Sequence, residues 1–123
     1  MVVSHDAEME MPDHTATLRR IRVEFLGRLR AQLCSFEALA ETLANEPVSG
    51  SRLVGVRRNA HKIAGVAGSV GFVDLGNTAR KLDELLNRAM REREVGSIEA
   101  KAIVAATNEL CQACANALAT NET

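Results

Sequence analysis

Apolar residues recur at steps of three and four along nearly the whole chain, which makes the α-helix its repeating unit. From about Asp13 to Asn45 the stripe is Leu18, Ile21, Phe25, Leu29, Leu33, Phe36, Leu39 and Leu43. From about Ser51 to Val70 it is Leu53, Val56, Ala60, Ile63, Ala67 and Val70. A third stripe, between about Asp74 and Glu94, holds Leu75, Ala79, Leu82, Leu86 and Ala89 or Met90. The fourth, between about Ser97 and Thr120, holds Ile98, Ala102, Ile103, Ala106, Leu110, Cys114 and Ala117. An amphipathic helix must bury its stripe against a neighbour. Four such helices with short links predict an all-α fold, an antiparallel four-helix bundle over residues 13–121 preceded by a short disordered lead-in over 1–12.

Local punctuation agrees. Asp13, Thr15 and Thr17 are candidate N-caps for the first helix, and Asn45 and Pro47 end it. "NEPVSGS" reads as a loop, and Ser49 or Ser51 can cap the second helix. Gly71 occupies the position of a left-handed C-terminal glycine, with Phe72 folding back on the helix end. Asp74 is the expected N-cap of the third helix. Gly96 separates the third from the fourth, which Ser97 caps. The 46% apolar content supplies a core, and with three Phe and no Trp or Tyr that core must be aliphatic.

The net charge of −1 and pI near 6.3 give no bulk reason to bind nucleic acid or an anionic membrane. No apolar run approaches the roughly 20 residues of a membrane span. The acidic start "MVVSHDAEMEMPDH" lacks the order of a signal peptide, so a cytoplasmic protein is expected. Three cysteines, Cys34, Cys111 and Cys114, cannot all pair within one chain and are expected to be reduced. Cys111 and Cys114 form a CxxC without a second ligand pair, so no metal site is expected.

The stretch "NAHKIAGVAGSVGF", Asn59 to Phe72, departs from ordinary helix composition. It places Gly65 and Gly68 in a helical pattern, where each glycine costs roughly 1 kcal/mol relative to alanine. At about 100° per residue, His61 lies about 125° from the inner stripe, on the helix flank. Gly68 and Val54 fall about 20° from His61, Gly65 and Arg57 about 40°, and Ala64 about 60°. The imidazole therefore stands on a strip of glycine, alanine and arginine that leaves it open to a second macromolecule.

A histidine followed by glycines four and ten residues later, here His61, Gly65 and Gly71, resembles the signature of histidine-containing phosphotransfer (HPt) domains. The following "FVDLGNTARKLDELL" looks like that family's next helix. The resemblance implies a four-helix bundle with the phosphorylated histidine exposed on the second helix. It implies a phosphorelay shuttle between His61 and the aspartates of receiver domains, in a response regulator or hybrid histidine kinase. No nucleotide loop is present, so the chain is expected not to be an enzyme with its own nucleotide site, and to need no cofactor. Mg²⁺ would come from the receiver. The resemblance also implies phosphate on Nε2 and a polar partner for Nδ1 from the third helix, a spacing that falls on Asp83. The family's usual lysine three residues after the histidine is Ala64 here. Arg57, Arg58 and Lys62 are the candidate replacements for neutralising phosphate; Arg57 is the best placed, Lys62 lying about 100° around the helix. Val54, Ala64, Gly65 and Gly68 are the expected docking residues, and a monomer is expected.

Two other functions fit parts of the pattern. The same bundle and docking face would serve a helical adaptor that exchanges no phosphate. "IAGVAGSVGFVDLGNTARKL" also has helix-turn-helix spacing, with Asn77, Thr78, Arg80 and Lys81 on its second helix. The balanced charge weighs against that DNA-binding alternative.

Overall fold

The structure, a computed structural model, describes the backbone of residues 2–122 and the side chains of residues 15–120. Four helices follow one another: α1 (Val2–Asn45), α2 (Val54–Val66), α3 (Val73–Ala89) and α4 (Ser97–Glu122). Short 3-10 turns, Gly50–Leu53 and Ala67–Val70, extend α2 at both ends. The described residues contain no strand. α1 packs on α4, α4 on α3 and α3 on α2, giving the antiparallel bundle that the four stripes predict. The contact of α1 with α2 is thinner.

The turn between α2 and α3 forms as Gly71 and Phe72 predict. Gly71 has φ +98°, a left-handed conformation that side chains rarely adopt. Its N–H donates to Gly68 O at 3.3 Å, and Phe72 N–H donates to Ala67 O at 2.8 Å. Together these are the paired bonds of a Schellman motif, which satisfy helix-end carbonyls. Phe72 stacks on Phe25 of α1, with ring centroids 6.1 Å apart. Arg22 closes the corner: its guanidinium carbon lies 5.6 Å from the Phe72 ring centroid, and its Nε donates to Val70 O at 3.0 Å. Asp74 is not the N-cap of α3; Phe72 holds that place, and Asp74 sits in the first turn, where a carboxylate favours the positive end of the helix dipole.

At the opposite end the two long links are laced together. Gly50 N–H donates to Glu92 O at 3.0 Å, and Val95 N–H donates to Val48 O at 2.8 Å, with both valines buried. A Cβ on Gly50 would press into the backbone oxygens of Ala89, Met90 and Glu92, so this approach requires glycine. The lacing also explains why α3 stops at Ala89 instead of continuing to Glu94: residues 90–96 are drawn into the link.

The core is aliphatic apart from Phe25 and Phe36, and Leu29, Leu53, Leu82, Leu86, Ile103 and Leu110 are buried within it. Each such side chain contributes about 1.5–3 kcal/mol on burial. Thr107 is also fully buried, and its hydroxyl is satisfied by donating to Ile103 O at 2.6 Å.

Several expectations are corrected. Helical backbone is assigned from Val2, ahead of the helix start expected near Asp13. The side chains of residues 1–14, His5 and His14 among them, lie outside the described residues. Leu18 and Ile21 are 44% and 41% exposed, because the core on α1 begins at Phe25, against the α2–α3 turn. Ile98 is 84% exposed and Ala102 is exposed as well. Ile98 lies about 140° and Ala102 about 100° around α4 from Ile103, off the face that Ala106, Leu110 and Cys114 share with it.

Candidate functional site

Ala60 and Ile63 anchor the inner face of α2 in the core, with Ala67 of the following 3-10 turn, which leaves His61 on the flank nearest α3 with 64% of its side chain exposed. Its Nδ1 lies 2.8 Å from Oδ2 of Asp83 on α3. Asp83 is largely enclosed, its side chain 14% exposed, and its other oxygen, Oδ1, accepts from Arg57 Nε at 2.9 Å. One carboxylate thus receives two donors from α2, one turn apart. An ionised carboxylate only accepts hydrogen bonds. In the neutral ring, Nδ1 would then carry the proton and Nε2 the lone pair.

The α2–α3 register sets this pairing. Gly76 on α3 packs against the end of α2: a Cβ there would lie 3.5 Å from Gly68 N, 3.5 Å from Ala67 Cβ and 3.8 Å from Ala64 O. From Gly68 back to His61, and from Gly76 forward to Asp83, are both steps of seven residues. Seven residues return to nearly the same helix face after two turns. Antiparallel helices in contact at Gly68 and Gly76 therefore face each other again at His61 and Asp83. Gly76 is a contributor that sequence reasoning missed. Its spacing of seven from Asp83 is the signal that could have found it.

The strip around His61 is open. A Cβ added at Gly65 or Gly68 would meet nothing within 4 Å, so neither glycine serves close packing of its own side. Val54, two turns before His61, is 42% exposed, and Ala64 is half-buried beside α3. The structure does not bring every candidate cation to the histidine. Arg57 lies on the α3 side of the strip and reaches Asp83. Arg58 and Lys62 are exposed and lie about 60° and 100° around the helix on the side away from α3. Among the described residues neither bonds to His61 or Asp83.

The remaining candidates are accounted for locally. α2 and α3 lie alongside each other over at least two turns, which is not the crossed arrangement of a helix-turn-helix. Thr78 bonds to Asp74 O, Arg80 to Asn77 and Lys81 to Glu109. Cys34, Cys111 and Cys114 are free thiols. Burial, and to a lesser degree Cys111, pushes the Cys114 thiol up to about 12; burial and then Glu37 raise that of Cys111. No group of three or more His, Cys, Asp or Glu among the described residues could hold a metal ion. No helix among them is long and apolar enough to cross a membrane.

Comparison with known families matches the chain to the Hpt domain over residues 9–122. No curated protein and no solved structure matches it.

Proposed function

The chain belongs to the Hpt domain family, and on that premise we propose that it relays a phosphoryl group between Nε2 of His61 and receiver-domain aspartates. Hpt domains act in histidine phosphotransfer within phosphorelays, as carriers of the group. The observation that carries the assignment to His61 is its geometry: a ring held at Nδ1 by a largely enclosed carboxylate and exposed at the opposite nitrogen.

The chemistry follows from that arrangement. The Nε2 lone pair attacks the phosphorus of an aspartyl phosphate on the partner. The N–P bond forms as the P–O bond breaks, and the bonding pair leaves with the partner's carboxylate. Positive charge develops on the imidazole, 2.8 Å from the Asp83 carboxylate, which stabilises it without a proton having to move. Passing the group onward reverses these steps. Mg²⁺ held by the receiver's acidic pocket would offset charge on the phosphoryl oxygens.

The partner is then a receiver domain of a response regulator or hybrid histidine kinase. It reaches the ring over Gly65 and Gly68, where no side chain stands in the way, and gains apolar contact at Val54. Arg58 and Lys62, exposed beside the strip, offer positive charge to the receiver's acidic face.

Incubation with a phosphorylated receiver domain tests this reading. The expected product is base-stable, acid-labile phosphate on the chain, absent in His61→Gln at unchanged helix content. Full labelling of His61→Gln would overturn the site. A wild-type chain that binds receivers but never takes up phosphate would instead establish an adaptor.

A further inference from the structure

We propose that Arg57 is a positioning residue for His61, acting through Asp83 instead of binding phosphate directly. The proposal deepens the phosphotransfer reading and rests on it for its kinetic arm alone.

Three observations carry it. Arg57 Nε and His61 Nδ1 take different oxygens of one carboxylate, at 2.9 and 2.8 Å. A carboxylate is planar and rigid, so holding Oδ1 fixes where Oδ2 points; without the guanidinium, Asp83 is free to rotate away from the ring. Second, Arg57 and His61 are one turn apart on α2 and share the face that meets α3, so both donors belong to one rigid element. Third, the Arg57 side chain is 32% exposed and its Nε is already engaged, whereas the His61 side chain is 64% exposed. The guanidinium is thus tied back toward α3, and the ring projects further into solvent.

The electrostatics point the same way. Asp83 alone would place a negative charge beside an incoming phosphoryl group. Paired with Arg57 it is offset, yet Oδ2 remains available to the ring. The chain Arg57–Asp83–His61 holds the proton on Nδ1 and the lone pair on Nε2, the state that attack on phosphorus requires.

The test separates this from a direct phosphate contact. Nitrogen-15 spectra of the imidazole, recorded near pH 8.5 where an ordinary histidine is about 99% neutral, report the tautomer without any phosphorylation. Wild type is expected to show protonated Nδ1 and bare Nε2. Arg57→Gln and Arg57→Ala should both mix the tautomers, and Asp83→Ala should mix them further, at unchanged helix content. Phosphorylation by a receiver should slow about tenfold in Arg57→Ala, the effect expected for loss of one charge-assisted hydrogen bond. It should slow no further when Arg57→Ala is added to Asp83→Ala. An unchanged tautomer in both Arg57 variants overturns the proposal, as does an equal slowing by Arg57→Ala with and without Asp83. If the wild type takes no phosphate, the functional reading fails, while the spectra still decide what Arg57 does.

Discussion

Gly68, in the 3-10 turn that ends α2, and Gly76 of α3 meet at the closed end of the helix pair, where a Cβ on Gly76 would stand 3.5 Å from Gly68 N. Two turns away on each helix, the same register brings His61 Nδ1 to 2.8 Å from Asp83 Oδ2. The close approach of Gly76 to the backbone at the end of α2 thus shares one register with the pairing of Asp83 and the histidine.

Gly76→Ala should be tolerated, because 3.5 Å is an ordinary van der Waals contact. Relief of the glycine penalty should raise stability by about 0.5–1 kcal/mol, read from the urea midpoint. Gly76→Leu should lower it by about 1–3 kcal/mol through overpacking, and should separate Asp83 from His61. A stable Gly76→Leu with an unchanged imidazole tautomer would show that register is set elsewhere.

Gly65 offers the opposite case. Its Cβ position is open, so Gly65→Ala should stabilise the helix by about 0.5–1 kcal/mol. Gly65→Gln should fold as well as wild type yet accept phosphate from a receiver more slowly, since a long side chain would stand beside the ring. Transfer at the wild-type rate would show that access to His61 does not depend on this glycine.

Arg22 ties α1 to the α2–α3 turn through Val70 O and the Phe72 ring. Arg22→Ala should lose about 1–2 kcal/mol of stability in urea unfolding. Arg22→Lys should recover only part of it, because an ammonium has neither the Nε donor nor a planar face. Full recovery by lysine would reduce the role of Arg22 to its charge.

The thiols should react in order of access. Iodoacetamide at pH 8 should label exposed Cys34 first, Cys111 more slowly, and Cys114 only on unfolding. Burial raises the Cys114 thiol from 9.0 to about 12, so the folded state favours its neutral form. That contribution is complete below pH 9, where the unfolded thiol is also neutral, and is lost as pH rises from 9 toward 12. Stability curves of wild type and Cys114→Ala should therefore converge over this window. Parallel curves, or early labelling of Cys114, would contradict its burial.

Much of the fold was legible because it is local. The 100° spacing of apolar residues along α2 is enough to put Ala60, Ile63 and Ala67 inside and His61 on the flank. The left-handed turn at Gly71 follows from one residue's freedom of φ, and the open strip follows from Gly65 and Gly68 lacking side chains. Periodicity served less well at helix ends. Leu18 and Ile21 keep the helical rhythm yet stay over 40% exposed, and Ile98 falls in a stripe that its angle excludes.

What the sequence by itself determined, then, is which residues form helices, which face each helix buries, and that His61 stands exposed among small residues. The family resemblance already pointed from His61 to Asp83; only the tertiary structure decided that Arg57 meets the same carboxylate. Arg57 shares the histidine's strip, and by angle alone it is as well placed to meet phosphate as a carboxylate. It meets Asp83 because α3 lies along α2 in the register that brings this carboxylate beside Arg57 and His61. That distance is set by contacts between residues far apart in the chain, which the periodicity of a single helix does not encode.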